Sequence, residues 1–206
     1  MEDRVWYASY GSNLAAARLA AYLTGGVPPG GTVAHPGCRD PSPPRRSAPV
    51  WLPGQVSFAR HSRQWGGGVA FLDPDAPGSS PGRAYDLGVD QLADVLAQEG
   101  GRRPPGDLDV AAVVATGRWT ADAGWYGTVV HAGAMDGLPV LTFTAPWRSG
   151  DVEATAPSAS YLRLLAGGLD EAHGWPLERA IDHLLTCPGV TPTWDAQTLL
   201  AALSGS

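Results

Sequence analysis

The chain has 206 residues, and its hydrophobic share of 44% suffices for one sizeable core, so we expect a single domain over residues 1–206. Its formal net charge is −6 and all 14 basic residues are arginines, which gives no basic stripe suited to nucleic acid. No stretch of about 18 residues is apolar throughout, and Met1 to Arg4 do not resemble the start of a secretion signal. We therefore expect a cytoplasmic protein without a membrane partner.

The chain opens with a strand that runs into a sharp turn and then a helix. Residues 4–10 are rich in aromatic and β-branched types and lead directly into Gly11. Residues 14–23 are mainly good helix formers, and Ser12 or Asn13 before them is a suitable N-cap. The sequence therefore predicts a strand, a turn and a helix in immediate succession.

The middle of the chain is irregular at first and then rich in strands. Residues 25–49 contain many Pro and Gly residues without periodicity, which predicts a long irregular segment. A helix with Asp90 as its N-cap is predicted to end at Gly100-Gly101. Three short strands separated by turn sequences are predicted before that helix, at residues 55–61, 68–72 and 83–87.

The remaining chain passes from strands to helices. Further strands are predicted at residues 110–115, 125–131 and 139–144. Asp136-Gly137 is a strong hairpin dipeptide between the last two. Helices are predicted to start at Ser158 and at Pro176, and a third covers residues 193–203. Because strands and helices do not alternate regularly, this order is typical of an α+β domain.

Glu99 is the most informative single residue because of its place on the predicted helix that ends at Gly100. It follows Leu92 by seven positions, Val95 by four and Leu96 by three, so it shares their buried face. Burial raises the pKa of a carboxyl, and the negative end of the helix dipole raises it further. Glu99 is therefore a candidate proton acceptor near neutral pH. The alternative is a structural Glu that pairs with an arginine or caps a backbone amide.

The second candidate element is the turn at residues 10–14, Tyr-Gly-Ser-Asn-Leu. Exposed backbone amides at the start of a helix form a natural pocket for an anion. Asn13 is also the only Asn in the chain. The alternative is purely structural, with Gly11 in a tight turn and Ser12 or Asn13 as an ordinary cap.

Residues 10–14 resemble the Tyr-Gly-Ser-Asn-Leu signature of the γ-glutamylcyclotransferase family, and other stretches agree with that family in order and spacing. Residues 65–70 are similar to its Trp and Gly-rich strand, and residues 82–100 are similar to the strand and helix that end in its catalytic Gln-Glu-Gly segment. Residues 156–161 resemble its Pro-Ser-x-x-Tyr helix. The resemblance spans roughly residues 5–185, and it is specific because several motifs recur in the right order.

The resemblance implies a small mixed β-barrel flanked by helices, and a reaction that needs neither cofactor nor metal. In γ-glutamyl amides, the α-amine of the substrate attacks its own side-chain carbonyl, which forms 5-oxoproline and releases a free amine. Glu99 would be the catalytic general acid and base, and the partner of the protein would be a small γ-glutamyl compound. The substrate-binding residues that the resemblance implies are Tyr10, Gly11, Ser12, Asn13, Leu14, Trp65, Tyr126 and Tyr161.

Two other functions stay open beside this hypothesis. They are a hydrolase or amidase, in which Glu99 activates water, and a non-catalytic binding protein of the same fold.

Residues 25–49 either shape the side of the pocket that receives the leaving amine or form a surface loop. Residues 78–82 match the G-x-S-x-G pattern, but a nucleophile elbow needs a strand before it and a helix after it. A lone Cys38 in a Pro-rich segment is more often inert than reactive.

Overall fold

The computed structural model describes residues 4–103, 108–121 and 123–205; Met1 to Asp3, on which the cytoplasmic prediction partly rests, lie outside these residues. Within them the strands are β1 (Arg4–Ser9), β2 (Ser47–Pro53), β3 (Gln55–Ser62), β4 (Gly67–Asp73), β5 (Ser79–Gly88), β6 (Arg118–Thr120), β7 (Thr128–Met135) and β8 (Leu138–Thr144). The helices are α1 (Ala16–Thr24), α2 (Val89–Glu99), α3 (Val110–Thr116), α4 (Ala159–His173), α5 (Leu177–Thr186) and α6 (Ala196–Ser204), with 3-10 helices at Ser12–Leu14 and Ser149–Asp151. No described helix is both long and apolar enough to cross a membrane.

β1 lies inside a six-stranded mixed sheet with the strand order β2-β5-β1-β8-β7-β6. It pairs antiparallel with β5, where Tyr7 faces Tyr85, and parallel with β8, where Trp6 faces Val140. β3 and β4 form a separate two-stranded hairpin. The α+β prediction is therefore confirmed. The described strands form an open sheet and a hairpin, and the sheet does not close into a barrel.

β1 separates two hydrophobic clusters because its side chains alternate between the two faces of the sheet. Trp6 and Ala8 belong to the cluster that includes β3, β4 and the helices α4 to α6. Val5 and Tyr7 belong to the cluster that includes α1 and α2. All four side chains are buried. The strand thus supports the core on both sides.

The prediction of a strand at residues 110–115 is wrong, because these residues form helix α3. The side chain of Asp109 accepts a hydrogen bond from the amide of Ala112 and so caps the start of the helix. Gly117 ends the helix in the left-handed conformation, with φ at 79°. These two caps outweigh the β-branched content of the segment.

The predicted N-caps of two helices, α1 and α2, are also wrong. Ser12 and Asn13 form part of the first 3-10 helix, and α1 begins only after Ala15. Asp90 lies inside the first turn of α2, where the Gln91 side chain accepts a hydrogen bond from the backbone amide at the helix start. Because α1 begins only after Ala15, the side chain of Asn13 does not cap this helix.

Residues 25–49, predicted to be irregular, have little regular structure until β2 begins, and they are anchored to both neighbouring helices. The guanidinium of Arg18 in α1 donates to the carbonyl of Pro29 over 2.7 Å. The backbone amide of Arg39 donates to the buried carboxylate of Asp94 in α2 over 2.9 Å. These contacts hold the segment against α1 and α2.

Candidate active site

A cavity of about 160 Å³ opens where β1 ends and the 3-10 helix Ser12–Leu14 begins. Its walls come from both hydrophobic clusters, since Tyr7 and Phe143 belong to one and Val69 and Tyr161 to the other. Eight of the nine predicted site residues line this cavity: Tyr10, Gly11, Ser12, Asn13, Trp65, Glu99, Tyr126 and Tyr161.

Leu14, the ninth predicted residue, lies behind the turn. It is 2% exposed and belongs to the core between the 3-10 helix and α4. Its backbone approaches Gly168 of α4 closely. Leu14 therefore supports the turn from the core side and does not line the cavity.

Glu99 is the last residue of α2, and it lines the cavity. Its Oε1 lies 3.5 Å from Nδ2 of Asn13, and the hydroxyl of Tyr22 also hydrogen-bonds to the carboxylate. Burial raises the pKa of Glu99, against the opposing effects of Tyr22, of the charge on Arg18 and of Asn13. A carboxyl with a raised pKa is a better proton acceptor and donor near neutral pH than an exposed one.

Asn13 connects the turn to Glu99. Its Nδ2 lies 3.3 Å from the hydroxyl oxygen of Tyr7 and 3.5 Å from Oε1 of Glu99, so its two N–H donors have two separate acceptors. Its Oδ1 is buried and has no hydrogen-bond partner among the described residues. The Glu99 carboxyl is therefore fixed next to the turn.

The turn contains two backbone amides that its 3-10 helix does not use. The amide of Leu14 donates to the carbonyl of Gly11 over 2.9 Å, which closes the first turn of the 3-10 helix. The amides of Ser12 and Asn13 precede this bond, so they have no partner inside the helix. Because both residues line the cavity, these amides are suitable donors to a bound anion.

Tyr126 and Tyr161 hold the backbone of β4 at Ala70. The amide of Ala70 donates to the hydroxyl of Tyr161 over 3.3 Å, and its carbonyl accepts from the hydroxyl of Tyr126 over 2.9 Å. The ring of Trp65 lies 4.9 Å from that of Tyr161, between centroids. The three rings form one aromatic wall. The Tyr126 hydroxyl donates its proton to β4, whereas the Tyr161 hydroxyl accepts from β4 and keeps its own O–H as a donor.

The sequence analysis missed two lining residues on α1. Arg18 and Tyr22 are four positions apart, so both side chains lie on the same face of the helix. An arginine one turn before a tyrosine in a helix of Ala and Leu is the signal that would have found them. The other lining residues without a predicted role are Tyr7, Ser9, Ser62, Gln64, Val69, Ala70, Trp125, Thr142 and Phe143.

Arg18 is buried, at 2% exposure, and its surroundings define its orientation. One Nη donates to the carbonyl of Pro29, and the guanidinium carbon lies 4.9 Å from the ring centroid of Trp65. This geometry is a cation–π contact. The Nε atom has no hydrogen-bond partner among the described residues. The cavity therefore contains a fixed positive charge beside Glu99.

The G-x-S-x-G match and Cys38 both lie in surroundings that disfavour reactivity. Ser80 of the G-x-S-x-G match is buried; its hydroxyl donates to Gly54 and accepts from the amide of Val56. Burial, together with the charge of Asp94, raises the pKa of the Cys38 thiol to about 12. Within the part of the chain described, no group of three or more His, Cys, Asp or Glu residues is placed to hold a metal ion.

The fold is that of the γ-glutamylcyclotransferase-like proteins, as two solved structures show. A structure named γ-glutamyl cyclotransferase covers 98% of this chain, with 99% of its own chain matched, at 19% identity and a TM-score of 0.55. An uncharacterized protein from Homo sapiens covers 99% of this chain and is itself matched over 100%, at 18% identity and a TM-score of 0.54. The predicted γ-glutamylcyclotransferase-like fold is therefore confirmed, although the described sheet is open and does not form the expected barrel.

The sequence comparisons do not assign the chain to a family. No family model matches the sequence. The chain is 34% identical over 185 residues to histone deacetylase 5 from Arabidopsis thaliana, which corresponds to 81% of this chain. The match spans 28% of the length of that protein.

Proposed function

We propose that this protein is a cofactor-independent cyclotransferase that converts a γ-glutamyl amide to 5-oxoproline and a free amine. The observation that carries the proposal is the pair formed by Glu99 and the turn at residues 11–13, next to one another in one cavity of a γ-glutamylcyclotransferase-like fold. The carboxyl, with its raised pKa, lies 3.5 Å from the Asn13 side chain of that turn. This arrangement supplies proton transfer and anion binding, the two requirements of the reaction.

The reaction needs no nucleophile from the protein. The α-amine of the glutamyl group attacks its own γ-carbonyl carbon, so the C–N bond of the ring forms and the C–N bond to the departing amine breaks. Intramolecular reactions of well-oriented groups reach effective molarities of about 10⁵–10⁸ M. A cavity that holds the glutamyl chain in a folded rotamer therefore supplies a large part of the rate enhancement.

Glu99 handles the proton that blocks the attack. An α-ammonium with a pKa near ~8 and an ordinary Glu with a pKa near ~4.3 differ by roughly 3.6 units, which is about 5 kcal/mol against transfer. Burial narrows this difference because it raises the pKa of Glu99. Glu99 accepts one proton from the ammonium before the attack and delivers it to the departing nitrogen. After the ring has closed, the ring nitrogen gives up its second proton, and the released amine takes up one more to leave as an ammonium, so the protons balance.

The turn and the aromatic wall hold the substrate. The backbone amides of Ser12 and Asn13 donate to the negative charge of the glutamyl compound, on its carboxylate or on the carbonyl oxygen during attack. The hydroxyls of Tyr126 and Tyr161 are engaged with β4. Their rings, together with Trp65, contact the glutamyl chain through apolar surface, and the O–H of Tyr161, which only accepts from Ala70, can also donate to it.

A panel of γ-glutamyl amides, with 5-oxoproline detected by mass spectrometry, tests the proposal. We expect Glu99→Gln to lower kcat by about 10²–10⁴-fold and to leave the affinity for the amide largely unchanged. Glu178→Gln is the matched control, since Glu178 is exposed on α5, and it should keep full activity. Unchanged turnover by Glu99→Gln would exclude Glu99 from the proposed role.

Turnover in heavy-oxygen water separates cyclisation from hydrolysis. Cyclisation consumes no water, so the 5-oxoproline should carry no label. Labelled glutamate would instead identify a hydrolase or amidase in which Glu99 activates water. Binding of γ-glutamyl amides without either product would identify a non-catalytic binding protein.

A further inference from the structure

Tyr22 is a cavity residue to which the proposed mechanism gives no role. It lies one turn after Arg18 on α1, it lines the cavity, and it is 5% exposed. Its hydroxyl hydrogen-bonds to the carboxylate of Glu99. An ionised carboxylate can only accept, so the O–H of Tyr22 is the donor of this bond. Glu99 is thus held from two sides, by Tyr22 of α1 and by Asn13 of the turn.

The backbone of Tyr22 is tied to the helix that carries Glu99. Tyr22 lies in the last turn of α1, so its carbonyl has no partner within that helix. This carbonyl accepts a hydrogen bond from Nε2 of Gln98 over 3.2 Å and another from Sγ of Cys38 over 3.4 Å. Gln98 is buried and directly precedes Glu99 in α2. The bond between the two helices therefore defines where Tyr22 lies relative to Glu99.

The ring of Tyr22 is held by the segment that follows α1. The ring of His35 lies 3.7 Å from it, between centroids, at an interplanar angle of 32°. Gly26 and His35 exchange two backbone hydrogen bonds, over 3.0 and 2.9 Å, which close the intervening residues into a loop. Because its backbone and its ring are both held, the hydroxyl of Tyr22 is in place before a ligand binds.

Tyr22 stays protonated over the pH range in which Glu99 titrates. Burial, the charge of Glu99 and the hydrogen bond to it raise the pKa of Tyr22 well above its ordinary value. Burial and the charge of Arg18 lower the pKa of His35, behind the Tyr22 ring. The other groups that face Glu99 are the charge of Arg18 and four phenols whose pKa values are also raised, those of Tyr7, Tyr10, Tyr126 and Tyr161. Near neutral pH the Tyr22 hydroxyl is therefore a constant donor, and it favours the ionised carboxylate.

We propose that Tyr22 is a positioning residue whose hydroxyl orients the Glu99 carboxyl for proton transfer, and that residues 26–35 act on the reaction through Tyr22. This inference rests on the proposed function. Burial makes Glu99 more basic but does not by itself stop its carboxyl from rotating. The bonds from Tyr22 and Asn13 hold it in one orientation beside the turn, as proton transfer at a defined distance requires. The irregular segment thereby gains a part in the active site.

The pH dependence of kcat/KM tests the role of the hydroxyl. Tyr22→Phe removes a donor to the ionised carboxylate, so the pKa of Glu99 should rise further. The acidic limb of the profile should then move up by about 1–2 pH units, and kcat/KM below that limb should fall by about 10–100-fold. Above the limb, the lost orientation should lower kcat more than it raises KM. An acidic limb that stays in place would overturn the inference.

Tyr85→Phe is the matched control for this profile. It also removes a buried phenol hydroxyl next to the turn, one that donates to the carbonyl of Asn13 over 2.7 Å, but Tyr85 does not line the cavity. Whatever it does to kcat, it should leave the acidic limb in place. An equal movement of the limb in Tyr85→Phe would show that the shift follows from disturbing the turn, and would overturn the inference.

Variants at His35 test the part played by the loop. His35→Ala removes the ring that packs on Tyr22 and should lower kcat by about 3–10-fold, whereas His35→Phe keeps a ring and should retain kcat. In the Tyr22→Phe background, His35→Ala should have no further effect on kcat, because the loop acts through the hydroxyl that is already gone. The same loss in both backgrounds would show that residues 26–35 do not act through Tyr22.

Titration of Glu99 in the free protein separates this inference from the proposed function. Protein labelled with ¹³C at the glutamate carboxyls gives one NMR signal that Glu99→Gln removes, and its midpoint should be about 1–2 pH units higher in Tyr22→Phe. A midpoint that Tyr22→Phe leaves unchanged would overturn the inference even if the enzyme is active. If the midpoint moves but no γ-glutamyl compound yields 5-oxoproline, the proposed function is wrong, and the hydrogen bond has no catalytic role.

Discussion

Gly168 of α4 lies directly against the backbone of Leu14, at the end of the turn that lines the cavity. A Cβ at position 168 would lie 2.9 Å from the carbonyl carbon of Leu14 and 3.0 Å from the amide nitrogen of Ala15. Both neighbours are backbone atoms, which cannot rotate away as the end of a side chain can. α4 therefore packs on the 3-10 helix at a separation that glycine permits and a larger residue does not.

We expect Gly168→Ala to lower the free energy of unfolding by about 1–3 kcal/mol, because the added methyl group displaces the turn. Gly167→Ala is the matched control: Gly167 is exposed on α4, and a Cβ added there would have no neighbour within 4 Å. There the change should raise the free energy of unfolding by up to about 1 kcal/mol. Urea denaturation of both variants gives the comparison, and equal values for the two would contradict the close approach.

Tyr126→Phe and Tyr161→Phe should each destabilise the protein by about 1–3 kcal/mol, because each removes the partner of a backbone group of Ala70. The two losses should not be additive in the double variant, since both hydroxyls hold the same residue of β4. Chemical denaturation of the two single variants and the double variant measures this coupling. Losses below about 0.5 kcal/mol in both single variants would show that the hydroxyls do not hold the strand.

The raised pKa of Glu99 makes stability depend on pH. The folded protein binds the Glu99 proton more tightly than the unfolded chain, whose Glu has its ordinary pKa of 4.5. The free energy of unfolding of the unmodified protein, relative to Glu99→Gln, should therefore be highest below that value. This relative free energy should fall as pH rises from 4.5 to the raised pKa of Glu99, by about 1.4 kcal/mol for each pH unit in that range.

Urea denaturation from about pH 4 to 8 measures this dependence, with Glu178→Gln as the matched variant. Glu178 is exposed, so the difference between Glu178→Gln and the unmodified protein should not follow the same course. A relative stability that rises with pH would mean that the carboxylate of Glu99 is the favoured form in the folded protein.

Cys38 and Cys187 should both be unreactive in the folded protein. Burial raises the pKa of each thiol to about 12, so the reactive thiolate is scarce near pH 8. A disulfide reagent should modify both thiols slowly in the native protein and quickly in urea. Fast modification in the native protein that Cys38→Ser abolishes would make Cys38 a reactive group after all.

The sequence was most informative where a feature depends on nearby residues. The spacing of Leu92, Val95 and Leu96 predicted the buried face that carries Glu99, because helical periodicity is a local property. The Asp136-Gly137 hairpin is confirmed too, with φ values of 52° and 79° that this turn requires.

Features that depend on distant parts of the chain were missed. β2 contains Pro49 and Pro53, which argue against a strand, but it lies at the edge of the sheet, where proline is tolerated. In the sequence alone, nothing distinguishes Arg18 from other residues of a short helix. Its burial and its place in the cavity come from Trp65 and Pro29, which lie 47 and 11 positions away in sequence, and no local pattern reports that packing.

β1 contributes to both hydrophobic clusters, and the cavity at its end takes its walls from both. A molecule bound there would contact both hydrophobic clusters at once and would connect them. Occupancy should then slow amide hydrogen exchange in α2 and in α4 together, although these helices belong to different clusters. Ligand binding would therefore make the two clusters unfold more cooperatively, because both clusters include side chains of β1.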